Sequence, residues 1–172
     1  MRIFLSFLLL FCISVFANAQ QPRQLTNDDF VTVTTKNTDT NSTEEAKFSL
    51  ITLERSGCLG PCPVYKLTVY GNGKVLYKGE KNVKIVGERT ANLEKEQLAQ
   101  LVKEFEKVGY FNLNDNYEGG PTDGSSAITS IAIGNRKKTI KHYHPSPDSP
   151  NVLKELENKI DAIVNSSRWI QE

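Results

Sequence analysis

What the sequence lacks narrows it first. It has almost no excess charge: 21 Lys and Arg face 20 Asp and Glu, for a formal net charge of +1. That excludes the strongly basic surface of a typical nucleic-acid binder and leaves no long-range attraction to anionic lipid. It has one apolar run, at the N-terminus, which excludes a multi-span membrane protein. There is no Gly-x-Ser-x-Gly elbow, no calcium loop of EF-hand spacing and no internal repeat. Histidine is scarce, at two residues, and cysteine stands at three. What remains is a chain of 172 residues, 38% hydrophobic and 24% charged, which suits one ordinary folded domain and neither a collagenous nor a mostly disordered protein.

The N-terminus reads as an export signal. A positive start at Arg2 precedes an apolar run from Ile3 to Phe16, broken only by Ser6 and Ser14. Ala17-Asn18-Ala19 then sets small residues at both recognition positions, which predicts cleavage after Ala19. The run is shorter than the ~20 residues that a spanning helix needs. Phe11 directly before Cys12 argues against lipidation, because a lipoprotein signal needs a small residue there. Processing removes Arg2, Cys12, the single Met and four of the eight Phe. The mature chain then has equal numbers of basic and acidic side chains and two cysteines, in an oxidising compartment. The predicted location is periplasmic or extracellular, with no transmembrane segment after processing.

Residues 20–46 are rich in Thr, Asn, Asp and Gln and read as a flexible polar linker, with a short edge strand at 30–34 as the alternative. Residues 47–170 read as a single α+β domain. Strands are expected at Phe48–Leu53, Val64–Tyr70, Lys74–Lys78 and from Val83 to Val86 or on to Thr90, with Gly71-Asn72-Gly73 as the turn of the first hairpin. Leu98, Leu101, Val102, Phe105 and Val108 recur at helical spacing. Asn92 is the expected N-cap of that helix and Gly109 its stop. A long loop, 110–124, leads to a second hairpin, Ala127–Ile133 with Lys137–Tyr143. A last helix is expected to be capped by Ser149, with Pro150 in its first turn; Trp169 is expected to fold back on the core. The expected architecture is an antiparallel β-sheet of about five to six strands with two helices packed on one face.

Three clusters could carry chemistry. Cys58 and Cys62 are separated by Leu59-Gly60-Pro61, a stretch able to turn so that the sulfurs meet. A disulfide there closes a small loop worth roughly 2 kcal/mol. The alternatives are a redox-active dithiol, although no helix N-terminus follows to lower a thiol pKa, or a metal site. His142 and His144, one residue apart on a strand, share a face. With Cys58 and Cys62 they would make a Cys2His2 set suited to zinc or copper, if the fold brings the pairs together. Asp115, Glu118 and Asp123 lie in a Gly-rich loop that could hold a hard cation. The simpler reading has Thr122 and Asp123 bonding the turn's own backbone.

The pattern Arg55-x-x-Cys58-x-Gly60-x-Cys62-Pro63-x-Tyr65, followed by Gly71-x-Gly73-x-Val75-x-Tyr77-x-Gly79, resembles a bacterial envelope family catalogued as domain of unknown function 6438. Thr122-Asp123, His142-Tyr143, Leu156-Glu157 with Ile160-Asp161, and Trp169 are similar too. The resemblance spans roughly residues 48–170. It implies an exported or envelope-bound protein and no established activity, substrate or catalytic residue.

Together these readings predict a non-catalytic, disulfide-stabilised binding or interaction module of the cell envelope, with an unknown envelope protein or small ligand as partner and no nucleic acid. Its candidate ligand contacts are Arg55, Asp115, Glu118, Thr122, Asp123, His142 and His144. No cofactor is required. The alternative is a metal-binding or thiol-redox protein using Cys58 and Cys62 with His142 and His144, for which zinc or copper would be the metal.

Overall fold

The computed structural model describes residues 46–171 and, apart from them, the pair Thr32–Val33. The expected signal peptide, 1–19, and nearly all of the expected linker lie outside the described residues. The strands are β1 (Thr32–Val33), β2 (Ala46–Arg55), β3 (Val64–Tyr70), β4 (Lys74–Lys81), β5 (Gly87–Asn92), β6 (Asn116–Tyr117), β7 (Ser126–Ile133) and β8 (Arg136–Tyr143). The helices are α1 (Lys95–Lys107), α2 (Asn151–Val164) and the single turn α3 (Ser167–Ile170).

Seven strands run side by side in the order β5-β4-β3-β2-β7-β8-β6, and β1 pairs with the start of β2. The α+β class holds, but the sheet is wider than the expected five to six strands and is not wholly antiparallel. β6 lies parallel to β8, through Asn116 opposite Lys141 and Tyr117 opposite His142. Two residues have no readable period, so sequence gives no sign of this strand. It is held by side chains instead. Tyr117 is buried, and its hydroxyl accepts a hydrogen bond from the Asn114 backbone N–H at 3.0 Å.

One sheet face is apolar because alternate residues point the same way. Ile51 and Leu53, then Tyr65, Leu67 and Val69, then Val75 and Tyr77, and finally Ile131 and Ile140 are all buried. Both main helices bury their stripes in the same core: Leu98, Leu101, Val102 and Phe105 from α1, and Leu153, Leu156, Ile160, Ile163 and Val164 from α2. Each fully buried Leu or Ile is worth about 1.5–3 kcal/mol relative to exposure.

Three local expectations change. The strand expected from Val83 begins only at Gly87, as β5, and Val83–Val86 is not a strand. β4 runs on to Lys81, Asn82 takes a positive φ of 53°, and the N–H groups of Lys84 and Ile85 donate to the Ile170 and Trp169 carbonyls. The apolar residues are there to meet the C-terminal turn, on which Trp169 stacks against Tyr77 at 4.8 Å between ring centroids. Gly79 permits this crowding, since a Cβ there would run into the Ile85 carbonyl and the Tyr77 hydroxyl. Next, α1 is capped by Glu94 rather than Asn92, in a capping box with Gln97; Asn92 ends β5. Finally, Pro150 and not Ser149 occupies the N-cap position of α2. Gly109 does take the left-handed conformation, φ 60°, just past α1.

Candidate functional site

The C-terminal ends of β2 and β8 and the N-terminal ends of β3 and β7 meet at one end of the sheet. Strand register lines up their last core-facing residues. Arg55 lies opposite Tyr65 on one side and Ala127 on the other, and Ala127 lies opposite His142. The row Tyr65, Arg55, Ala127, His142 therefore faces α2. From α2, Glu157 reaches the Arg55 and His142 members of that row.

Glu157 is fully buried. Its Oε1 lies 2.6 Å from His142 Nδ1, and its Oε2 lies 2.8 Å from His144 Nε2 and 3.4 Å from Arg55 Nη1. The outer nitrogens of both rings are also engaged. His142 Nε2 bonds the Ser149 hydroxyl and His144 Nδ1 the Ser125 hydroxyl, the latter at 2.9 Å. Each ring can donate to Glu157 from its inner nitrogen, and the serine hydroxyl at its outer nitrogen can donate or accept. Burial pushes the Glu157 carboxyl up, but hydrogen bonds from His142 and His144, together with their charge, hold it below its ordinary value.

One turn along α2, Asp161 receives Arg55. Nε and Nη2 both donate to Oδ2, at 3.0 and 2.8 Å. The Tyr65 and Ser166 hydroxyls donate to Oδ1, at 2.7 and 2.6 Å. Burial lowers the Arg55 pKa, but Tyr65 and Asp161 more than offset it, so the guanidinium is held more firmly charged than usual. The Tyr65 hydroxyl is pushed well above the ordinary tyrosine range, first by burial and then by the charge of Asp161. Among the described residues, no buried side-chain nitrogen or oxygen lacks a hydrogen-bond partner.

A groove of about 500 Å3 opens over this floor. Arg55, Tyr65 and Asp161 line its base, His144 and Ser125 one wall, and Cys62 the rim. Cys58 and Cys62 are disulfide-bonded, with Cα atoms 5.6 Å apart. The loop they close is tied to the opposite loop, because the Leu59 N–H donates to the Asp123 carbonyl and the Ser56 N–H to the Ser126 carbonyl. The Asn82 side chain donates to the Cys62 carbonyl from a third side.

Of the residues singled out from sequence, the fold gathers Arg55, His142 and His144 into one cluster and sets the cysteine loop at its rim. It does not gather the loop carboxylates. Asp115 pairs with Lys138 and Glu118 with Lys141, both carboxylates being largely exposed. Thr122 and Asp123 are exposed. The Cys2His2 donor set is not formed, since both sulfurs are spent in the disulfide; the donor group among the described residues is His142, His144 and Glu157. Nor is a free dithiol present.

Glu157, Asp161, Tyr65 and Ser149 were missing from the expected site. Glu157 had a signal. It sits between Leu153 and Ile160 on the apolar stripe of α2, where an unpaired carboxylate would be very costly. Ser149 read as a helix cap because Ser before a helix usually is one. Its hydroxyl is committed to His142 instead.

Two kinds of chemistry fit such a cluster. A carboxylate that orients an imidazole against a serine hydroxyl is the relay used to activate nucleophiles. Two imidazoles and a carboxylate converging on one point are a metal donor set.

The family model for a domain of unknown function, DUF6438, covers residues 49–164 of the chain. No curated protein matches it.

Proposed function

The chain belongs to the DUF6438 family, and from that premise we propose that it is an exported, non-catalytic module that binds a small polar ligand in the groove above Arg55, Tyr65 and Asp161. The observation that carries this reading is the groove's construction. Its floor is a saturated network of fixed charges and hydroxyls joining the sheet to α2, and its rim is a disulfide-closed loop. Pre-organised polar groups beneath an open concavity are how binding sites fix orientation at low entropic cost. An oxidising destination supports the disulfide, and the signal-like residues 1–19 supply the route. No helix among the described residues is long and apolar enough to cross a membrane.

The test fills the groove without touching the core. Asn158 is exposed on α2 and lines the groove. Thermal-shift measurements with free amino acids, monosaccharides and short peptides should find one class that raises the Tm of the wild type. Asn158→Trp should keep the unliganded Tm and abolish that rise. A wild-type protein indifferent to all three classes, or a variant that still responds, overturns the reading.

A further inference from the structure

We propose that His142, His144 and Glu157 form a binding site for one first-row divalent metal ion of the zinc class, set in the wall of the groove. The inference stands independently of whether the groove takes an organic ligand.

The first argument is charge. Glu157 is a fully buried carboxylate, and buried charges are paired or bind metals. Arg55 is its nearest permanent cation, yet the guanidinium fork is committed to Asp161 through two short hydrogen bonds, and only Nη1 reaches toward Glu157, at 3.4 Å. Glu157 thus has only one long contact to a permanent cation, and its close partners are the two imidazole rings.

The second argument is geometry. His142 Nδ1, His144 Nε2 and a Glu157 oxygen lie within 4.8 Å of one another. Metal bonds of about 2.0–2.2 Å to nitrogen and oxygen separate neighbouring tetrahedral ligands by roughly 3.3 Å. The present nitrogen-to-oxygen distances of 2.6 and 2.8 Å are within about 1 Å of that spacing. Imidazole and carboxylate together suit zinc and its neighbours.

The third argument is the outer partners. Histidines that bind metals hold their other ring nitrogen in a hydrogen bond that fixes tautomer and orientation. Ser149 and Ser125 occupy those positions on His142 and His144. When the ion takes the inner nitrogen, each ring keeps one proton on its outer nitrogen and donates it to the serine oxygen, any second proton leaving to solvent. His144 also lines the groove, which gives the ion a route in and leaves its remaining coordination positions open to water or ligand.

The test uses the full chain stripped with a chelator and titrated with zinc by calorimetry. One equivalent should bind. His144→Ala changes a partly exposed side chain and should weaken binding at least 100-fold with an unchanged far-ultraviolet spectrum. Ser125→Ala and Ser149→Ala, as positioning residues, should weaken it about 10- to 100-fold. Asp123→Asn, on the exposed loop, should leave it unchanged. X-ray absorption of the zinc-loaded wild type should show two imidazoles and needs no variant to fold. Absence of saturable binding, one-to-one binding indifferent to His144→Ala, or an ion without imidazole ligands overturns the proposal.

Discussion

Arg55 and Asp161, 106 residues apart in sequence, share two hydrogen bonds through Nε and Nη2, so that the last residue of β2 is fastened to the third turn of α2. Both side chains are mostly removed from solvent, at 14% and 20% exposure. The pair therefore escapes much of the screening that makes surface ion pairs nearly worthless. Arg55→Met should leave Asp161 and Glu157 short of a donor and destabilise the protein by about 2–3 kcal/mol. Asp161→Leu should cost a similar amount. Urea unfolding of both single variants and the double variant should reveal coupling between them. Strict additivity would mean that the contact holds nothing together.

The disulfide shortens the unfolded chain's choices across a very small loop. Cys58→Ser with Cys62→Ser should lower stability by about 2 kcal/mol. Oxidised wild type exposed to reductant should lose the same amount, measured by chemical denaturation. An equal midpoint with and without reductant, together with two free thiols, would rule out the disulfide as a structural element.

Alkaline titration should expose the buried hydroxyls. Tyr65 and Tyr110 both have pKa values raised in the folded state, chiefly by burial. A raised folded value means that their contribution to stability is complete below the unfolded tyrosine pKa near 10 and is lost as pH climbs beyond it. Stability should thus fall above about pH 10, and tyrosinate absorbance should appear in two phases, the second coinciding with unfolding. Tyr65→Phe should flatten the alkaline fall. A single phase of ordinary tyrosine ionisation in the folded protein would refute this.

Gly79 is the tightest point beside the C-terminal turn. Gly79→Ala would press a methyl group onto the Ile85 carbonyl and the Tyr77 hydroxyl. The expected cost is about 1–3 kcal/mol, from overpacking. Trp169 is the only tryptophan and stacks on Tyr77, so its emission should shift to the red in this variant if the turn lifts off the sheet. Unchanged emission with unchanged stability would show that the crowding is relieved elsewhere.

The parts of this protein that sequence determines are those governed by periodicity and local chemistry. Alternation fixes the buried face of β3, helical spacing fixes the stripes of α1 and α2, and Gly109 ends α1 because only a positive φ turns the chain there. Cys58 and Cys62 lie close enough along the chain for Gly60-Pro61 to join them. Arg55, His142 and His144 stood out as candidate contacts before their meeting was visible.

Tertiary structure decides the rest, for reasons that act across the chain. β6 is two residues long, too short for any local period, and is set by its pairing with β8 and the burial of Tyr117. Lys84 and Ile85 bond Ile170 and Trp169 of the C-terminal turn, a partner that no local window contains. Ser149 leaves its capping role because His142 lies within its reach. Glu157 has a sequence signal in its place on the apolar stripe of α2, but its partners are set by strand register, which brings Arg55 and His142 into one row beneath the helix. Burial of that carboxylate against two imidazoles turns a pair of strand-end histidines into a site.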